Sequence, residues 1–75
     1  MTEMFFPLLD AYPYDHDNFR FIGNPIDGIQ FEDDRIILVE FKMGESRLSP
    51  GQRRIRDMVA ENRVDFEEHR IPPRE

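Results

Sequence analysis

A chain of 75 residues is at most one small domain, and one of this size buries only about 60% of the surface its unfolded form exposes. It has no cysteine, which excludes disulfides and thiolate metal sites and leaves a metal ion or a second subunit as the usual supports of so small a scaffold. A hydrophobic fraction of 39% beside 35% charged residues, with a net charge of −6, excludes a disordered chain and a strongly basic nucleic-acid binder.

No stretch approaches the roughly 20 apolar residues of a membrane helix, and the opening Met-Thr-Glu-Met-Phe-Phe-Pro lacks the features of a signal peptide. A cytoplasmic location is expected, with no membrane partner. The whole chain reads as one domain: an arm over residues 1–24, a core over 25–71 and a tail over 72–75.

The arm interleaves Phe5, Phe6, Tyr12, Tyr14, Phe19 and Phe21 with Pro7, Pro13 and Gly23. The prolines break any long helix, so a short helical turn over 2–9 and then an extended segment are expected. Its aromatics have enough apolar area to cover a sheet.

Residues 26–31 and 35–42 read as two strands joined across the polar turn Glu32-Asp33-Asp34, an antiparallel hairpin. The second strand is apolar on both faces for most of its length, the mark of a central strand. It ends in Glu40-Phe41-Lys42. Side chains two apart on a strand share a face, so Glu40 and Lys42 project together and Phe41 faces the opposite layer. Pairing across Asp33-Asp34 brings Asp27 to the open end of the hairpin, within reach of Glu40.

Ser49-Pro50-Gly51-Gln52 reads as a helix start, with Ser49 as N-cap, Pro50 at the first position and Gln52 closing a capping box. Ile55, Met58 and Val59 follow as the apolar stripe, and Asn62 marks the stop. Residues 64–71 read as a last strand ended by Pro72-Pro73, joined to the central strand by a right-handed crossover and parallel to it. The expected fold class is α/β: a small mixed sheet with an antiparallel hairpin, a crossover helix and a final parallel strand.

Charge is uneven. Residues 1–41 carry two arginines against nine acids, and residues 42–75 carry eight basic residues against seven acidic ones. Arg47, Arg53, Arg54 and Arg56 crowd the helix start; they form either a solvated face or, best for Arg47 and Arg53, phosphate contacts. His16 and His69 have no partner at metal-ligand spacing, and Ser49 has a capping role. Two carboxylates held together repel unless a hard divalent cation relieves them. Such a cation activates water and stabilises charge on a phosphate, with an ammonium beside it to offset negative charge. The competing reading is a plain Lys42–Glu40 salt bridge with Asp27 in a turn.

Pro25-Ile26-Asp27 followed by Glu40-Phe41-Lys42 resembles the P-D…(D/E)-x-K pattern of the restriction-endonuclease-like superfamily. Residues 21–28, 39–44 and 47–52 resemble one branch of it, the predicted endonucleases related to archaeal Holliday junction resolvases; the likeness runs from about Phe19 to Ile71. The resemblance implies a nuclease that hydrolyses DNA phosphodiester bonds in repair, recombination or defence, using Mg²⁺ or Mn²⁺. It implies that Asp27, Glu40 and the Phe41 carbonyl hold the metal, that Lys42 assists the water, and that Gln52 lies by the site. A further acid on a first helix is usual in the superfamily, and Glu3 is the candidate. Expected partners are branched or duplex DNA and a second copy in a homodimer. The alternatives are a nuclease-like fold kept as a binding or assembly module, or one piece of a larger nuclease.

Overall fold

The computed structural model describes residues 11–74. A 3₁₀ turn, His16–Asn18, leads into three strands, β1 (Phe19–Phe21), β2 (Gly28–Phe31) and β3 (Ile36–Val39), and then one helix, α1 (Pro50–Ala60). The strands form one sheet in the order β1-β2-β3. Both pairings are antiparallel, with Arg20 opposite Ile29 and Ile29 opposite Leu38.

The hairpin forms as its sequence dictates. Phe31 pairs with Ile36, and the Glu32 N–H donates to the Arg35 carbonyl at 2.9 Å, closing the turn over Asp33-Asp34. The strands are shorter than expected. Residues 26–31 supply only Gly28–Phe31, and residues 35–42 only Ile36–Val39. Asp27 thus lies just before β2, and Glu40 and Lys42 just beyond β3.

Part of the expected arm is a strand. Phe19–Phe21 pairs with β2, and the reason lies at Gly28. A Cβ there would meet the Phe19 ring at 2.5 Å and collide with the Arg20 carbonyl. Only a glycine lets the aromatic side chain lie flat across the neighbouring strand. Of the arm's other expectations, the helical turn over 2–9, Phe5, Phe6 and Glu3 lie outside the described residues.

Cross-strand partners share a face, so Phe19, Gln30 and Ile37 lie on one side of the sheet and Arg20, Ile29 and Leu38 on the other. On the first side the rings of Tyr12, Phe19 and Phe41 meet at centroid distances of 5.6–6.2 Å. Gln30 is wholly buried there, and every polar atom of its amide is used. Its oxygen accepts from the Tyr12 hydroxyl at 2.7 Å, and its nitrogen donates to the Asp15 carbonyl and to Glu32 Oε2, each at 2.8 Å. A buried amide left unpaired would cost about 1–3 kcal/mol, so this hub fastens residues 12–15 to β2.

Helix α1 starts and stops where local chemistry requires. The Ser49 hydroxyl accepts from the Gln52 N–H at 3.2 Å, and Gln52 Oε1 accepts from the Ser49 N–H at 2.9 Å, a complete capping box with Pro50 at the helix start. At the other end Asn62 takes a left-handed φ of 59°. Its N–H donates to the Val59 carbonyl, and that of Arg63 to the Met58 carbonyl, at 3.0 and 2.8 Å. That double bond is a Schellman closure.

Two expectations about the sheet are corrected. β3 stands at its edge and β2 in the middle, because the strand expected to cover β3 is not paired there. Among the described residues no parallel strand follows α1: residues 63–74 carry no helix or strand and are exposed. The described sheet is therefore antiparallel throughout, and among the described residues no strand follows α1 for a crossover to reach. An isolated extended segment has no backbone hydrogen bonds of its own, so its sequence pattern forms a strand only against an available edge. Val64, Phe66 and Ile71 are left 54, 92 and 79% exposed. Between β3 and α1 an apolar groove of about 450 Å³ stays open, lined by Ile26, Leu38, Ile55 and Val59 among others. Ile26 is the one buried apolar side chain among the described residues.

Candidate metal and nuclease site

Asp27 and Glu40 meet where the β2–β3 ladder opens. Glu40 Oε1 accepts the Asp27 N–H at 3.0 Å, and Asp27 Oδ2 accepts the Phe41 N–H at 2.8 Å. Each carboxylate thus continues the ladder by one rung, replacing the backbone carbonyl that pairing would otherwise supply. Hydrogen bonds to ionised acceptors are short and contribute about 1.5–3 kcal/mol each. The backbone of Asp27 is fixed from the other direction as well: its carbonyl accepts from the N–H groups of Ile22 and Gly23 at 2.8 and 3.2 Å.

Lys42 joins the pair through Glu40, its Nζ 3.2 Å from Oε2, with the two side chains 31 and 15% exposed. The intervening Phe41 turns its ring the other way, into the aromatic layer 5.6 Å from Tyr12 and 5.8 Å from Phe19. The structure therefore brings Asp27, Glu40 and Lys42 to one spot, with the Phe41 peptide between them. The salt bridge of the competing reading is also present, and Asp27 stands in the loop. The two arrangements coexist, because Asp27 Oδ1 takes no hydrogen bond from a described residue.

Gln52 reaches the site indirectly. Its Oε1 is used by the capping box, and its Nε2 donates to the Pro25 carbonyl at 3.0 Å, two residues before Asp27. The Asn24–Pro25 peptide is cis. Gln52 thus holds the loop that carries Asp27 against the first turn of α1. Its Oε1 and one N–H of its Nε2 are used in these two contacts.

The arginines divide. Arg47 is exposed in the loop before α1. Arg53 donates through Nη1 to the Leu48 carbonyl at 2.8 Å, bracing that same loop. Arg53, Arg54 and Arg63 line a shallow recess of about 390 Å³ together with Asp57 and Glu61, whose charges partly offset theirs. Arg56 pairs with Asp57 at 3.1 Å. His16 and His69 sit beside Asp17 and Glu67 at the surface. Among the described residues no three His, Cys, Asp or Glu side chains gather as a metal cluster; the carboxylates at the site are two.

Sequence reasoning missed three connections: the backbone bonds exchanged by Asp27 and Glu40, the Gln52–Pro25 link and the Gln30 hub. A glutamine at an inward position between Ile29 and Phe31 was the available signal for the hub. The first two depend on loop geometry that no local pattern encodes. Burial raises the Tyr12 hydroxyl above its ordinary pKa of 10.0, with Tyr14 and then Glu32 adding to the effect.

No curated protein and no solved structure matches the chain, and no helix among the described residues is long and apolar enough to cross a membrane. The family model described as endonuclease related to archaeal Holliday junction resolvase matches residues 1–71, a span that includes Asp27, Glu40, Lys42 and Gln52. The chain belongs to that family of Holliday junction resolvase-related endonucleases.

Proposed function

We propose that the protein is a metal-dependent endonuclease of the PD-(D/E)xK type that hydrolyses phosphodiester bonds in branched or duplex DNA, in repair, recombination or defence. The observation that carries this reading is the convergence of Asp27, Glu40 and Lys42 at the open end of the hairpin. The donor set fits a hard divalent cation. It offers two carboxylates, one of them with an oxygen that takes no hydrogen bond from a described residue, and a neighbouring peptide carbonyl. Mg²⁺ commonly uses one or two carboxylates and completes its shell with water and substrate phosphate.

In this reading Asp27, Glu40 and the Phe41 carbonyl hold Mg²⁺ or Mn²⁺, which when bound supplies Lewis acidity toward the phosphate and activation of water. Lys42, fixed by Glu40, offsets negative charge that builds on the scissile phosphate and orients the attacking water. Gln52 keeps the Asp27 loop in place. Arg47, in the loop before α1, and Arg53, on its first turn, contact DNA phosphates. A homodimer would set two such sites against two strands.

A second reading has its own support. Both oxygens of Glu40 are engaged, one by the Asp27 N–H and one by Lys42, as in a nuclease-like fold kept for binding or assembly. Incubation with branched and duplex DNA in Mg²⁺ or Mn²⁺ separates the two. The nuclease reading expects cleavage that falls about 100-fold or more in Lys42→Ala. DNA binding without cleavage, unchanged in Asp27→Ala, would establish the second reading instead.

A further inference from the structure

The chain has two unsatisfied features that fit one another. The first is the outer edge of β3. Ile36–Val39 contains no charge and no proline, and as an outer strand of the sheet it borders the groove between β3 and α1. Edge strands are ordinarily protected by lysines, prolines or bulges, and this one has none. The second is the segment 64–71. It is exposed throughout and carries no helix or strand. Glu67 pairs with His69 at 2.9 Å and Glu68 with Arg70 at 2.7 Å, and side chains two apart meet in this way on a strand-like backbone. At that spacing Val64 and Phe66 share one side, and Pro72-Pro73 ends the segment.

We infer that residues 64–71 of one copy add as a strand to the β3 edge of a second copy, reciprocally, so that each tail closes the other's groove. Three observations select this occupant. The groove is lined by Ile36, Leu38, Ile55 and Val59, apolar partners for Val64 and Phe66. Of the charged side chains that line it, Arg35 and Arg56 are basic and Glu40 is acidic, while the segment carries Asp65, Glu67 and Glu68 against Arg70, so the net charges are opposite. The chain's own conformation leaves the segment off its own sheet, with Phe66 92% exposed, while Ile26 alone is a buried apolar side chain among the described residues. A chain of 75 residues gains from apolar surface supplied by a partner subunit. Mutual exchange under two-fold symmetry closes the assembly at two copies, and main-chain bonding along an open edge is an established mode of recognition. The interface stands on this geometry alone and is independent of the nuclease reading.

The absence of cysteine makes disulfide trapping a clean test, since a bridge forms only where Cα atoms come within about 4.4–6.8 Å. Leu38→Cys protein is mixed with Val64→Cys, Asp65→Cys, Phe66→Cys or Glu67→Cys protein and oxidised. At least one mixture is expected to give a disulfide between the two different chains, and the unmodified protein is expected to have twice the mass of a single chain in solution. Phe66→Asp changes a side chain that touches little in its own chain, so it is expected to fold with the same circular dichroism and to run at single-chain mass. The inference is overturned if a Leu38→Cys/Phe66→Cys double variant bridges only within one chain, which would put the segment on its own sheet. It is equally overturned if Leu38→Cys alone bridges to itself in preference to the tail variants, or if the unmodified protein stays at single-chain mass at every concentration. All of these are read from mass, and a loss of cleavage alone bears on none of them.

Discussion

Asp27 and Glu40 hold one another's strands. The carboxylate of Glu40 accepts the Asp27 N–H at 3.0 Å, and that of Asp27 accepts the Phe41 N–H at 2.8 Å. The same carboxylates that would serve a cation therefore also hold the end of the hairpin.

Charge and hydrogen bonding at this pair can be separated by substitution. Asp27→Asn and Glu40→Gln keep an oxygen able to accept the same N–H, so thermal unfolding should shift less than in the alanine variants. Metal affinity by calorimetry should nevertheless fall at least 10-fold, since a carboxylate ligand is lost. The alanine variants remove the acceptor as well and should lose about 1–3 kcal/mol of stability. Equal Mn²⁺ affinity in wild type and Glu40→Gln would remove Glu40 from the site.

Gln52 carries two jobs that substitution also divides. Gln52→Glu retains an oxygen for the Ser49 N–H and loses the donor to the Pro25 carbonyl. Gln52→Ala loses both, and with the cap about 1 kcal/mol of stability. The glutamate variant should therefore melt near wild type while metal affinity drops, because the Asp27 loop is no longer held. Equal metal binding in wild type and Gln52→Glu would reduce Gln52 to a helix cap.

How much of this was legible in sequence depended on the range of the interaction. The Ser49–Gln52 box and the Asn62 stop lie within a few residues of their partners, and both ends of α1 follow from them. The period of a strand placed Glu40 and Lys42 together and Phe41 opposite. Residues 64–71 read as a paired strand but are unpaired, because pairing depends on an edge far away in sequence, and a Val-x-Phe pattern looks the same whether or not that edge is filled. β1 was hidden for a related reason. Its assignment requires knowing that Gly28, across the sheet, has left room for Phe19.

That room is itself testable. Gly28→Ala should destabilise the fold by about 1–3 kcal/mol, the usual cost of overpacking, because the added methyl meets both the Phe19 ring and the Arg20 carbonyl. Combining it with Phe19→Leu, which shortens the ring side chain, should recover part of the loss in chemical denaturation. No recovery would assign the cost to the Arg20 backbone.

Tyr12 sets a limit at alkaline pH. Its hydroxyl is raised above 10.0 mainly by burial, and ionisation would remove the proton it donates to Gln30. The folded state therefore holds this proton more tightly than the unfolded one. The stabilisation is fully present below the unfolded pKa and is lost as pH rises through the folded one. Unfolding midpoints should fall as pH rises above about 10. Tyr12→Phe should be less stable at neutral pH, through the unpaired Gln30 oxygen, and should show a flatter alkaline profile.

The bond from Gln52 to Pro25 spans two parts of the chain with different duties, since one leads to Asp27 and the other opens the helix whose first turn bears Arg53. Under the nuclease reading, ion and polynucleotide then act on a single mechanical unit. By thermodynamic reciprocity, whatever factor DNA imposes on Mg²⁺ affinity, Mg²⁺ imposes on DNA affinity. Cutting the tie would leave two independent equilibria in place of a coupled one.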